Sequence, residues 1–238
     1  MPLTWTVVVI AGLLPFDQSI ARSVRGVHLG GDIRRELEVL QQFGSISFLV
    51  LAILVFVCLQ PRRWRRSIDW ASAAAVTGVV ALVLKILLGR PRPKLMDHYG
   101  PTSLLGPFHA HPFGPEEGIH RSWHLWAAHV SDLWSFPSSH TSAAAAMAVG
   151  MVAIDRRLRP FAVSMVVLVG TSRVVLGAHY PSDVVFGACV GLICGRWVMR
   201  EYVGTRTLDW LWRLSHPRAT PAAPRVRLAE ASSRYAGD

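Results

Sequence analysis

PSSHTSAAAAMAVGMVAIDRRLRPFAVSMVVLVGTSRVVLGAHYPSDVVFGACVGLICGRWVMR, residues 137–200, holds three apolar runs, at about 137–154, 161–176 and 184–199. An arginine-rich break divides the first two and a polar one the last two. Each run approaches the roughly 20 residues that carry a helix across a bilayer. Polar caps can extend runs that fall short, and helices shielded by neighbours tolerate Thr, Ser and Gly at membrane depth. Three more runs precede them, at about 3–16, 43–59 and 69–88. The expected fold is all-α, a polytopic membrane helix bundle of about six transmembrane helices. Residues 1–200 form the transmembrane domain in this reading, and residues 201–238 a cytoplasmic tail.

Composition agrees, since a hydrophobic share of 51% over 238 residues with positive mean hydropathy is unusual for a soluble domain of this size. The formal charge of +10 raises nucleic acid as an alternative partner. The arginines, however, lie in short clusters between apolar runs and not along one helix face or groove, so no nucleic-acid partner is expected. Cys58, Cys189 and Cys194 all fall inside apolar runs. There they act as small hydrophobes and offer neither a disulfide framework nor metal-ligand spacing.

Arginine placement sets the orientation. Arg62, Arg63, Arg65 and Arg66 lie between the second and third runs, and Arg156, Arg157 and Arg159 between the fourth and fifth, so these short loops are expected in the cytoplasm. The same side receives Arg196, Arg200 and the tail. Segment 17–42 and the long loop from about 89 to 136 then emerge on the opposite, extracytoplasmic face of a plasma or inner membrane. Segment 17–42 balances Arg22, Arg25, Arg34 and Arg35 against Asp17, Asp32, Glu36 and Glu38, as an amphipathic helix along the membrane would. The run at 3–16 has no Lys or Arg ahead of it, which favours a retained anchor over a cleaved signal peptide. In the tail, Leu208, Trp210, Leu211, Trp212 and Leu214 fit a short interfacial helix, and the Pro/Ala/Arg-rich remainder reads as disordered. Gly187, Gly191 and Gly195 recur every four residues on the last run, a spacing that lets helices approach closely. Packing within the bundle is the favoured use, with a homodimer interface as the second.

Polar groups gather at the extracytoplasmic ends of the last four runs. Lys85, followed by Arg92 and Pro93, ends the third; alone, such cations are ordinary headgroup anchors. Pro137, Ser138, Ser139 and His140 open the fourth, with proline suited to the first helical position. The unpaired amides and positive dipole of a helix start make an anion site, to which the Ser138 hydroxyl can add a donor. An ordinary cap with an incidental histidine is the competing reading. Ser172 and Arg173 end the fifth run, and His179 and Asp183 flank Pro181 at the start of the sixth. Asp183 can fold back to hold the Nδ1 proton of His179, which leaves Nε2 free as a nucleophile or base. A capping Asp beside an interfacial His would look the same in isolation.

Taken together, Lys-x6-Arg-Pro, Pro-Ser-Ser-His and Ser-Arg-x5-His-x3-Asp resemble the three-part signature of the phosphatidic acid phosphatase type 2 superfamily. The match covers roughly 85–183. The arrangement of the last four runs also resembles that family's six-helix membrane branch. The middle motif of the family more often has Gly where this chain has Ser139, which sets a small side chain beside the phosphate-binding amides. The resemblance implies that Lys85, Arg92 and Arg173 hold the phosphate oxygens, with Ser138, Ser139 and nearby amides completing the cradle. It implies that His179, oriented by Asp183, attacks phosphorus. His140 would protonate the leaving oxygen and then activate water. Three fixed cations can neutralise developing charge without a metal, so no metal or cofactor is expected. Arg90 is left between headgroup contact and interface anchoring.

A cationic pocket at helix ends suits a lipid phosphate or diphosphate whose tail stays among the membrane lipids. The expected activity is that of a membrane lipid phosphatase, a phosphoric ester hydrolase of the phosphatidate phosphatase or undecaprenyl-diphosphatase type. A phosphotransferase using a lipid acceptor and a non-enzymatic lipid or ion transporter are the alternatives. The loop at 97–134 holds His98, His109, His111, His120, His124 and His129 with Trp123, Trp126 and Trp134. No ligand spacing there matches a strong zinc motif, and an interfacial lid is expected.

Overall fold

Helices form the regular structure of the computed structural model, which describes residues 11–27, 29–97, 99, 103–104, 121–126 and 129–216. In chain order they are α1 (Asp17–Arg25), α2 (Gly31–Leu40), α3 (Ile46–Leu59), α4 (Arg65–Leu88), α5 (Ser139–Ile154), α6 (Arg159–Val175), α7 (Pro181–Glu201) and α8 (Val203–Ser215). Among the described residues there is no strand. The charge-balanced segment is two helices, broken around Gly26 and Gly30, and α2 carries its own ion pairs, Arg34 to Glu38 at 3.1 Å and Arg35 to Asp32 at 3.6 Å.

Three helices with their end turns are long and apolar enough to cross a membrane: Arg65–Leu95, Arg156–Val175 and Pro181–Glu201. A fourth span exists if Gly31–Gly44 and Ile46–Leu59, bent by 61°, count as one. The run expected at 137–154 is shorter than foreseen as a helix; α5 has 16 residues, about 24 Å against a hydrocarbon core of about 30 Å. Most of the run at 3–16 lies outside the described residues, so the described spans number three or four where six runs were read.

α5 is the central helix and packs on α4, α6 and α7. Its alanines leave thin walls, and α7 answers with glycine. A Cβ at Gly187 would meet Ser138 O at 2.6 Å, and one at Gly191 would meet Ser142 O at 2.1 Å. The glycine ridge is therefore used inside the bundle, where it brings two backbones into contact. Outward faces are apolar and exposed, among them Val50, Leu54, Val83, Val167 and Ile193, as lipid-facing positions are. Inward faces carry helical stripes that end in charge. On α4 the stripe is Trp70, Ala73, Thr77, Ala81 and Lys85, and on α6 it includes Ala162, Val169 and Arg173. These stripes aim Lys85 and Arg173 at one end of the bundle, while the arginine-rich turns Pro61–Arg63 and Arg156–Leu158 lie at the other.

The chain divides into two compact units, one ending at Thr205 and the other beginning at Arg206. The tail helix expected from its Leu and Trp residues is α8, with Trp210, Leu211, Trp212 and Leu214 exposed. The tail after residue 216 lies outside the described residues.

Candidate active site

α4 ends where Gly89 adopts a left-handed conformation, φ 52°, with its N–H on Lys85 O at 2.9 Å. A non-glycine residue would be strained there. The turn sends Arg90-Pro91-Arg92-Pro93 back across the bundle end, and the described end of the long loop wraps it. Lys85 Nζ donates to Trp134 O at 2.6 Å, and Arg92 Nε to Ser131 O at 2.8 Å. Ser122 Oγ donates to Ile86 O at 2.6 Å, and Trp134 Nε1 to Ser122 O at 2.8 Å. Those bonds position Lys85 and Arg92 from behind.

α5 starts at Ser139 with Ser138 as its cap residue, so Pro137 stands one residue before the cap and not in the first turn as its identity suggested. The amides of Ser139, His140 and Thr141 are consequently the unpaired ones, because the first helical bond is Ser142 N to Ser138 O at 3.0 Å. Ser138 is fully buried. Its Oγ accepts from Thr141 Oγ1 at 3.0 Å, and its N–H donates to Asp183 O at 3.1 Å, which ties the start of α5 to the first turn of α7. A hydroxyl that accepts still has its own proton to give an anion. Ser139 is exposed and His140 half-buried.

Arg173 lies in the last turn of α6, and the backbone N–H groups of Ala178 and His179 both donate to its carbonyl, at 3.1 and 3.2 Å. That short hook, with Gly177 at φ 67°, ties the backbone of His179 to the last turn of α6. Arg173 Nη1 donates to Gln41 Oε1, and its buried Nε–H has no protein partner. α7 begins at Pro181, in the first-turn position read from sequence, with Asp183 two residues on. His179 is 3% exposed, and its Nδ1 faces Asp183 Oδ2 at 3.5 Å with no other partner. That gap exceeds an ordinary hydrogen bond and is of the kind that closes when substrate arrives.

Asp183 is held on several sides. Its Oδ2 accepts from Ser135 Oγ at 2.5 Å and from Tyr180 N at 2.9 Å, and its Oδ1 accepts from Arg90. Arg90 is 1% exposed, which excludes both roles left open for it, headgroup contact and interface anchor. It donates to Ser182 Oγ at 2.8 Å and to Asp17 Oδ2 at 2.7 Å, and lies over the Tyr180 ring at 4.3 Å. Asp17, read as one charge of an amphipathic segment, is fully buried. Ser135, Gln41 and Asp17 were not singled out from sequence, and only Arg90 carried a signal, as the extra cation beside a motif.

Burial pushes the His179 imidazole well below its ordinary value, to about 3; Lys85 and Arg173 act the same way, and Asp183 opposes them. The ring is therefore neutral at working pH, as a nucleophile must be. The charges of Arg173, Lys85 and Arg92 also reach His140. Lys85, Arg92 and Arg173 lie within electrostatic reach of one another, and like charges so placed are mutually unfavourable unless an anion joins them. Among the described residues, no group of three His, Cys, Asp or Glu is arranged to hold a metal ion. His98, His109, His111 and His120 lie outside the described residues.

Beside the cations, a cleft of about 420 Å³ opens between α1, α2 and the turn after α6, with Arg25, Arg34, Lys94, Leu176 and Gly177 in its lining. Its cations are already paired: Arg25 to Asp97 at 2.7 Å, Arg34 to Glu38, and Lys94 to Asp132 at 2.6 Å.

A family model described as PAP2 superfamily matches residues 66–206, more than half of the chain. The lipid A 1-phosphatase of Rhizobium johnstonii is 29% identical over 202 residues, covering 77% of this chain and 72% of that protein. The decaprenylphosphoryl-5-phosphoribose phosphatase of Mycobacterium tuberculosis is 30% identical over 158 residues, covering 66% and 73%. The crystal structure of a transmembrane PAP2 type phosphatidylglycerolphosphate phosphatase from Bacillus subtilis superposes with a TM-score of 0.56 at 20% identity, over 88% of this chain and 94% of that one. That last likeness concerns the fold.

Proposed function

The chain belongs to the PAP2 superfamily, and from that premise we propose that it dephosphorylates a lipid phosphate monoester or diphosphate through a phosphohistidine at His179. It is a multi-pass membrane phosphatase, a hydrolase of phosphoric esters. The observation that carries the proposal is the position of His179: the neutral ring backs onto Asp183 and feels the charges of Lys85 and Arg173, at the bundle end where the start of α5 also lies.

Phosphate oxygens sit among the three cations and the free amides of α5, which supply fixed positive charge where the transferred group spreads its negative charge. The Nε2 lone pair forms the N–P bond as the P–O bond to the leaving group breaks, and His140 gives that oxygen its proton. Water then forms a new P–O bond and gives its proton to His140. The N–P electrons return to His179, and orthophosphate leaves. No step uses a metal.

Lipid substrates follow from depth, because the site lies at the ends of helices whose sides are apolar. The arginine-rich turns at the far end favour the cytoplasm, which supports an extracytoplasmic site on a plasma or inner membrane. The paired charges of the 420 Å³ cleft suit the uncharged part of a polar headgroup better than a second phosphate.

Phosphate release by the purified protein, from a panel of lipid phosphates and diphosphates in mixed micelles, tests the activity. Quenched turnover with labelled substrate should yield an acid-labile phosphoprotein that His179→Ala cannot form. With an aryl phosphate, whose leaving group needs little protonation, His140→Ala should give a burst of phenolate and then stall. A phosphoprotein that survives in His179→Ala refutes the assignment.

A further inference from the structure

Buried in the bundle end, away from the phosphate cradle, is an acid that the reaction above does not use. Asp17 Oδ1 accepts the backbone N–H of Ser182 at 3.0 Å, and its Oδ2 accepts from Arg90 Nη2 at 2.7 Å and from the Ser182 hydroxyl. The same guanidinium donates through Nη1 to Asp183 Oδ1. We infer that Asp17 is a positioning residue for phosphoryl transfer, acting on His179 through Arg90 and Asp183.

Two properties of the chain of contacts support this. The first is geometric. Arg90 is held on Asp17, Ser182 and the face of Tyr180, so the oxygen it binds on Asp183 is fixed, and with it the oxygen that faces His179. The second is electrostatic. Two carboxylates share one guanidinium in a place closed to water, so the cluster carries one negative charge in excess while His179 is neutral. When Nε2 bonds to phosphorus the imidazole becomes cationic, and the cluster becomes neutral. Preorganised charge that matches the transition state better than the ground state speeds the chemical step more than binding. Without the Asp17 charge, Arg90 would draw on Asp183 alone and weaken its hold on the Nδ1 proton.

This inference rests on His179 as the nucleophile. Asp17→Asn keeps the shape and removes the charge. It should lower kcat about 10-fold to 100-fold, the scale seen when the partner of an oriented histidine is lost, with KM little changed. In an Asp183→Asn background the same substitution should cost nothing further, since residues acting in series are not additive. Inorganic phosphate should protect both single variants against thermal unfolding as it does the wild type, because the cations that bind it are untouched. A multiplicative loss in the double variant, a rise in KM at unchanged kcat, or a wild-type kcat in Asp17→Asn would each overturn the inference. If Asp17→Asn does not fold, Ser182→Ala removes the hydroxyl between Arg90 and Asp17 and should show a smaller kcat loss that also vanishes beside Asp183→Asn; full kcat in that variant would overturn it too. A wild-type protein that forms no phosphohistidine sinks the parent reading. One that forms it, with kinetics indifferent to Asp17, sinks this inference alone.

Discussion

Gly187→Ala tests whether the anion cradle depends on the close approach of α7 to α5. The added Cβ would lie 2.6 Å from Ser138 O, 3.1 Å from Ser142 Oγ and 3.3 Å from Ser138 N. Carbon and oxygen rarely approach within about 3.3 Å, so the Ser138 carbonyl must retreat by about 0.7 Å. It cannot retreat alone, because Ser138 O accepts both the N–H and the hydroxyl of Ser142, at 3.0 and 2.9 Å. The first turn of α5 moves with it, and so do the free amides of Ser139, His140 and Thr141.

A 1 Å misplacement can cost about 100-fold in rate, so a shift of this size should lower kcat/KM about 10-fold to 30-fold. Overpacking should also cost about 1–3 kcal/mol of stability. The assay pairs steady-state kinetics on a short-chain lipid phosphate with thermal unfolding in the same detergent. Gly78→Ala is the control, since a Cβ there meets nothing within 4 Å. Wild-type kcat/KM in Gly187→Ala, or an equal loss in Gly78→Ala, would refute the link between the glycine contact and the cradle.

Sidedness is read by thiol labelling in intact cells, after Cys58, Cys189 and Cys194 are replaced: a cysteine at Trp126, 93% exposed, should react with a membrane-impermeant reagent, and one at exposed Arg157 should not. The reverse pattern would move the chemistry to the cytoplasm. Activity should persist in excess EDTA and be inhibited by vanadate; loss in EDTA with recovery on adding zinc would give the histidine-rich loop a metal. His179 also sets a pH dependence of stability. Its folded value, about 3, is below the ordinary 6.5, so between those values the unfolded chain holds a proton that the folded one does not. The stability present above pH 6.5 is lost as pH falls through that window, so the Tm of wild type should drop more steeply there than that of His179→Ala; equal slopes would show that His179 is not buried as a neutral ring.

The motif residues were legible because their spacing ties them to helix ends, and helix ends are what apolar runs mark. Lys85 and Arg173 also finish buried stripes that recur every three or four residues, so their inward direction was present in the pattern. The exact start of α5 was not, because Pro137 suits several positions near a helix start and lies here before the cap. The pairing of Arg90 with Asp17 was illegible for a different reason, although Arg90 itself stood out as an extra cation. The two are 73 residues apart, and Asp17 meets Ser182 across 165. Next to Arg22 and Arg25, an acid on a charged surface helix looks solvated, and only the tertiary fold sinks it beneath the bundle end.

Helix length bears on why the substrate should be a lipid. The roughly 24 Å of α5 cannot bridge a core of about 30 Å from edge to edge. Its C-terminus is pinned near the arginine-rich turn, where Asp155 accepts from Arg157 N at 2.8 Å. With that end at the cytoplasmic boundary, as the arginines favour, its N-terminus with the unpaired amides would fall short of the opposite one. An anion reaching those amides from solution must give up its hydration before it meets the cations. A phosphate carried by a lipid starts at headgroup depth, and its tail stays in hydrocarbon while the phosphate sinks by a few ångströms. A site at that depth is thus a longer step for a soluble ester than for a lipid one.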